Sequence, residues 1–432
     1  MKLISHAALV AVLATGVSAA VIAAPAAAQK KSKKDEKAAG GLQLSDEFRK
    51  AYLPAQEAMT AKNYAAAAPA LDAAAAIAKN DDERYIVAAQ RLQMHAQTND
   101  TAQMLPLLGE LIANPKTPAT DLPRYNYFRG ALVYQQKKYA EALPYLIKAR
   151  ELGYQDNNLA LQIAQASVES GNVAGGLSEI EKAIAAEEAA GRKAPQEWYN
   201  YAIARTFTGG MKDQTATWLQ KSIRAYPTTD NWRKVIIVYR DAHEGKGRAT
   251  LDRAQKMDLY RLMRATKALA DQGDYIEYAD LALQAGLPYE TKAIVQEGKA
   301  TGKIPATSTQ ASVLMAEADK SIRTDTPLAA LERQAGTAAN GKLAMSTADV
   351  HLAQGNYPRA IELYKLALSK GGVDASEANL RLGNAYTLAG NEAEARNAFK
   401  GVTTAPRNEI AGFWTQWLEL KPTAAAPAPT GD

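Results

Sequence analysis

The sequence predicts an all-α fold: an α-α superhelix (solenoid) of stacked antiparallel helix pairs, in two arrays. Three observations predict it. Alanine makes up roughly a fifth of the 432 residues, and alanine is the best helix former because it loses no side-chain rotamer freedom. Strand-like runs are rare and aromatic residues amount to only 7%, which argues against an all-β enzyme. Blocks of glycine, asparagine, tyrosine and alanine recur at intervals of about 35 residues, the sign of a repeat architecture. The 47% apolar content supplies a core and excludes a disordered chain. A length that would suit about three globular domains is therefore reread as repeats.

The repeat is clearest near the C-terminus. Gly355-Asn356-Tyr357-Pro358-Arg359-Ala360-Ile361 is followed by Tyr364 and Ala367. Gly390-Asn391-Glu392-Ala393-Glu394-Ala395-Arg396 follows 35 residues later, with Phe399 behind it and Leu382-Gly383 and Tyr386 ahead of it. Small residues at Gly383 and Ala395 let two helices cross closely. Leu382, Tyr386 and Phe399 fill the seam, and Gly390-Asn391 stops one helix and caps the next. In these positions the sequence resembles the tetratricopeptide repeat (TPR) family, whose helix pairs stack because one pair cannot bury its apolar face alone.

The frame steps backward through Asn63-Tyr64, Asn99-Asp100, Lys138-Tyr139, Gly171-Asn172, Gly209-Gly210 and Gly273-Asp274-Tyr275. Pro69, Pro106 and Pro144 fall at one place in three successive units, near a first helical turn where proline costs least. The expected layout is an N-terminal array over 42–227, degenerate helical repeats over 228–305 and a C-terminal array over 306–422. Segment 298–305 reads as the hinge. Trp232, Val235, Ile236 and Tyr239 stand at helical spacing, so 230–240 is expected as a helix rather than a buried strand. A long helix is expected over 251–270, and Tyr139, Tyr275, Tyr357 and Tyr364 are expected as seam residues.

Residues 1–28 read as a secretory signal peptide: Lys2, an uncharged run from Leu3, and an A-x-A site at Ala26 and Ala28. A retained membrane anchor is the other reading of so long an uncharged run. Cleavage would leave no transmembrane span. The absence of cysteine excludes disulfides, thiolate zinc sites, cysteine nucleophiles and an acylated-cysteine anchor, and it suits a periplasmic protein. Segment 29–41 is a basic leader and 423–432 a low-complexity tail; both are expected to be disordered.

No catalytic, cofactor or metal constellation stands out. His95, His243 and His351 lack metal-ligand spacing, and the second histidine of a zinc protease motif is missing after His243-Glu244. Asp81-Asp82-Glu83 and Glu187-Glu188 read as solvated helix ends. The basic stretch Arg253, Arg261, Arg264 and Lys267 is not read as a nucleic-acid site. The TPR resemblance implies a concave groove lined by the first helix of each pair. Its frame places Tyr127, Ala131 and Tyr134, then Leu161, Gln165 and Val168, in the N-terminal groove. Met345, Asp349 and Leu352, then Leu380, Asn384 and Thr387, line the C-terminal one. Asn384 stands alone at a position of the family's carboxylate clamp. The expected function is a non-enzymatic periplasmic scaffold or adaptor that holds a protein or peptide partner in cell-envelope assembly or secretion, without cofactors. The alternative is a glycan- or polysaccharide-binding helper of polysaccharide export or peptidoglycan processing.

Overall fold

The computed structural model describes residues 42–156, 158–244, 251–324 and 326–420. The signal segment, the basic leader, the C-terminal tail and most of the polar loop after His243 lie outside the described residues. Among the described residues the secondary structure is helical throughout, with 21 helices. They form two compact units that divide between Ala190 and Gly191, inside the stretch read as a single N-terminal array. Gly191 has φ 69°, a left-handed turn that ends the last helix of the first unit.

The first unit is four helix pairs: α1 (Asp46–Thr60) with α2 (Tyr64–Ile77), α3 (Asp81–Gln97) with α4 (Thr101–Ala113), α5 (Leu122–Gln135) with α6 (Tyr139–Glu151), and α7 (Leu159–Glu169) with α8 (Val173–Ala189). Each second helix also packs on the next first helix, so the pairs stack into a ladder with one continuous core. Phe48, Leu71, Leu108, Phe128 and Leu146 are among its fully buried side chains.

Short connections force antiparallel neighbours, and the connection within a pair has one recipe. A left-handed residue stops the first helix at Lys62, Asn99, Lys137 and Gly171, and in the second unit at Gly210, Gly286, Gly355 and Gly390. At Gly390 the amide of Asn391 then reaches back to the carbonyl of Tyr386, at 2.9 Å. Caps follow: the side chain of Asn63 accepts from the amide of Ala66, Asp100 from Gln103 and Asn172 from Gly175. Pro69, Pro106 and Pro144 are each the sixth residue of their helices, α2, α4 and α6, so their common register holds.

The second unit opens with α9 (Gln196–Thr208) and α10 (Lys212–Ala225), followed by α11 (Thr229–His243) and α12 (Arg253–Ala265). Trp232, Val235, Ile236 and Tyr239 all face inward on α11, as their helical spacing requires. The long helix expected over 251–270 is shorter: it stops at Ala265, because Lys267 turns left-handed at φ 60°. Next come α13 (Gln272–Gln284), α14 (Pro288–Ala300), α15 (Thr309–Thr324) and α16 (Leu328–Thr337). The ladder ends on α17 (Lys342–Ala353), α18 (Tyr357–Lys370), α19 (Ala375–Leu388), α20 (Glu392–Lys400) and α21 (Arg407–Leu420).

The expected hinge at 298–305 is a packed helix end. Gly298 is buried, and a Cβ there would meet Ile304 at 2.6 Å and Tyr275 at 3.0 Å. The amides of Lys303 and Ile304 both donate to its carbonyl, at 2.8 and 2.9 Å. Pairing is interrupted one helix later. α15 packs on α13 and α14, α16 packs on α17, and α15 and α16 share almost no contact. The C-terminal helices then fold back inside the same unit: α17 meets α14, and α21 meets α10 and α12. Gln416 donates to the carbonyl of Gln220 at 2.6 Å, and Tyr239 donates to Glu409 at 2.6 Å.

Candidate functional site

The first helices of the C-terminal pairs are where a groove was expected, and the fold-back covers them. Met345, Asp349 and Leu352 on α17 are buried, as are Leu380, Asn384 and Thr387 on α19. Their surroundings are a buried charge network. Arg381 of α19 reaches Asp349 of α17 and Glu377 of its own helix, both at 2.5 Å, and Asp258 of α12 at 3.8 Å. The hydroxyl of Tyr364 donates to Asp349 at 2.6 Å. Arg261 of α12 grips Glu290 of α14 through two nitrogens, at 3.0 and 2.8 Å, and donates to Asp258 at 3.2 Å. Tyr278 donates to Glu290 at 2.5 Å. Arg407 of α21 completes the network against Glu377 at 3.3 Å and Asp374 at 3.4 Å. Two residues of the basic stretch, Arg261 and Arg264, are thus spent on internal pairs, Arg264 meeting Glu297 at 2.7 Å.

Burial and pairing compete at each group. Burial pushes the Asp258 carboxyl up to about 6, against the pull of the Arg381 and Arg261 guanidinium groups. Burial also acts upward on Glu290, but Arg261 and the Tyr278 hydroxyl win and hold it below the usual carboxylate range. The same burial drives the Tyr278 and Tyr364 hydroxyls far above ordinary phenol values. Satisfaction is incomplete: Asp258 Oδ2, Arg381 Nε and both ends of the Asn384 amide lack a hydrogen-bond partner. Asn384 is therefore an interior residue here, away from solvent.

In the first unit, Tyr127, Ala131, Gln165 and Val168 are buried while Tyr134 and Leu161 are half-buried. The fold does bring α5 and α7 together as the frame implied: the Tyr134 hydroxyl donates to Gln165 at 2.5 Å. Tyr127 stacks on Tyr154 with ring centroids 4.3 Å apart. Tyr134 meets Tyr139 edge-on at 5.1 Å, and Tyr275 and Tyr364 are buried seam residues.

Open surface lies elsewhere. A cleft of about 670 Å³ separates α13 from α15. Ile276, Val313 and Leu314 form its apolar floor, and Glu277 and Asp280 stand on its edge. Val313 is 61% exposed, the largest value among the exposed large hydrophobic side chains described. A second, polar cleft of about 420 Å³ lies between α10 and α21, where Glu419 already meets Arg224 at 3.2 Å and Arg396 at 3.5 Å. Sequence reasoning missed the first cleft because nothing in the repeat pattern of α15 announces that α16 will leave it.

Each described histidine has a local partner. His95 meets Asp100 at 3.3 Å, His243 meets the Tyr239 carbonyl at 2.9 Å, and His351 meets Glu332 at 2.6 Å. Among the described residues no group of three or more His, Asp or Glu is placed to hold a metal ion, and no helix is long and apolar enough to cross a membrane. Glu83 departs from the solvated helix end expected of it. It is fully buried and accepts from the amides of Ser45 at 2.8 Å and Lys79 at 2.7 Å. Burial acts upward on its carboxyl, yet these amides hold it below the usual range.

No protein-family model matches the chain, and no curated protein matches it. Solved structures that align with it include the TPR domain of P58(IPK), at 15% identity over 86% of this chain and 98% of that one, with a TM-score of 0.23. The human IFIT1 dimer with PPP-AAAA aligns at 13% identity over 82% and 89%, with a TM-score of 0.21. The Cut9–Hcn1 hetero-tetramer of the APC/C aligns at 12% identity over 87% and 84%, with a TM-score of 0.20. Scores this low leave the chain's own helix pairs as the ground for its tetratricopeptide-like fold. Those pairs cross closely at small residues: a Cβ on Gly383 would run into the ring of Phe399, and Ala395 is fully buried.

Proposed function

We propose that the chain is a non-enzymatic scaffold or adaptor that holds a protein or peptide partner in cell-envelope assembly or secretion. The observation that carries this reading is the open cleft between α13 and α15. It is a partly apolar concavity in the second unit, where the groove positions of α17 and α19 are buried. Clefts that take ligands and peptides combine an apolar floor with a few polar groups in this way. The periplasmic location rests on the sequence of 1–28 alone, and N-terminal sequencing of the mature protein tests it: the expected first residue is Gln29. The scaffold reading is tested by crosslinking the full chain in native envelopes, with photo-reactive residues distributed over its surface. A specific protein crosslinked at one or more positions supports it; none at any position overturns it. The glycan reading needed exposed tyrosine faces. Tyr127 is buried under Tyr154, so no observation favours that reading.

A further inference from the structure

The α13–α15 cleft carries more chemistry than its openness. Nine residues line it, among them two carboxylates and no cation. Glu277 and Asp280 lie one helical turn apart on α13, so both edge the same floor of Ile276, Val313 and Leu314. Arg240 is the nearest cation to Glu277, at 3.6 Å, and Asp280 is bonded by the neutral amide of Gln284 at 2.5 Å. An apolar floor with an acidic edge selects for a segment that is apolar on one face and basic beside it, because complementary charge sets register and partner choice.

Building on the scaffold reading, we propose that this cleft docks a basic amphipathic helix of another protein. The chain's own leader and tail do not fit by sequence. The leader, residues 29–41, is rich in lysine but has no apolar side chain larger than alanine, and the tail, residues 423–432, has no lysine or arginine. A second copy of the chain does not fit either. A contact of cleft on cleft would bring two acidic edges together, and like charges face to face are repelled.

The probe is a synthetic amphipathic helix of leucine and lysine, titrated into the full chain by fluorescence anisotropy, with a leucine–glutamate helix of equal length as its control. The wild-type chain is expected to bind the lysine helix and not the glutamate helix. Glu277→Lys combined with Asp280→Lys is expected to weaken lysine-helix binding at least tenfold, on the order of the penalty for juxtaposed like charges, and to admit the glutamate helix. Glu277 also faces Arg240, so Asp280→Lys alone and Val313→Asp are tested in parallel. Asp280 stands at the edge and Val313 is the most exposed residue of the floor, so both changes are expected to weaken binding with the circular-dichroism melt unchanged. Binding that ignores all three changes overturns the proposal. So does displacement of the lysine helix by a peptide of residues 29–41, or a dimer in sedimentation that Val313→Asp dissociates. Envelope crosslinks found elsewhere on the chain with a silent cleft defeat this docking site alone. The absence of crosslinks anywhere defeats the scaffold reading beneath it.

Discussion

α19 and α15 occupy the same kind of place: each packs on the second helix of the preceding pair and opens the next step of the ladder. Yet ten of the 14 residues of α19 are buried, against three of the 16 in α15. Position in the repeat therefore does not decide whether a first helix offers a binding face. α19 is closed because the chain folds back and sets Asp258 and Arg407 against it. α15 is open because its successor, α16, leaves to pack on α17. A groove drawn from repeat position alone lands on the closed helix and passes over the open one.

Charge removal tests the closed side most severely. Arg381→Ala leaves the buried Asp349 with the Tyr364 hydroxyl but no cation, while Asp258 keeps Arg261 and Glu377 keeps Arg407. Uncompensated buried charge of this kind costs about 3–5 kcal/mol. Urea unfolding followed by tryptophan fluorescence should show a loss of that size, and a loss below about 1 kcal/mol would mean that the network does not hold the fold-back together.

Asp258 sharpens the same point through pH. Its carboxyl rises from 3.8 to about 6 on folding, so over that interval the native state binds more protons than the unfolded one. A group shifted this way contributes most stability at low pH, and the contribution declines as pH rises from 3.8 to about 6, then stays flat. Asp258→Asn keeps the shape and removes the titration. Relative to wild type the variant should gain on the order of 3 kcal/mol between pH 4 and pH 7, the equivalent of a two-unit shift. A difference between the two proteins that stays constant with pH would refute this assignment.

Glycines give the next contrast. Gly383→Leu on α19 drives a side chain into Phe399, and overpacking of this kind costs about 1–3 kcal/mol or more. Gly336, on α16, has nothing within 4 Å of an added Cβ. Gly336→Ala should therefore stabilise by about 0.5–1 kcal/mol, the usual gain of alanine over glycine inside a helix. Thermal melts of the two variants should move in opposite directions; movement in the same direction would mean that the frame of the C-terminal pairs is misplaced.

What the sequence made legible follows from the range of the forces involved. The pairs, their left-handed stops and the proline register are local: Gly390 needs only its own turn, and Pro69 only its own helix. Trp232 through Tyr239 was read correctly for the same reason. The network was invisible because Asp258, Arg381 and Arg407 are far apart in sequence, and each looks like any surface charge. Glu83 hid in the same way, since its partners are the amides of Ser45 and Lys79 rather than another charge. The twelve groove residues lie on four first helices, α5, α7, α17 and α19. Repeat position, however, says nothing about what lies opposite, and most of the twelve are buried by packing that no repeat encodes.

The open side predicts the smallest effect. Val313→Asp replaces a side chain that is 61% exposed on a helix whose buried residues are Ala311, Leu314 and Ala318 alone. Surface substitutions of this kind change stability by less than about 0.5 kcal/mol, so the unfolding midpoint should stay put. The same substitution on a buried first-helix position, Leu380→Asp, would place a carboxylate where no water reaches. The comparison of α15 with α19 thus reduces to one pair of melts, flat for Val313→Asp and lost for Leu380→Asp. A clear loss for Val313→Asp would mean that something in the folded chain already covers the α13–α15 cleft, and the docking face would have to be sought elsewhere.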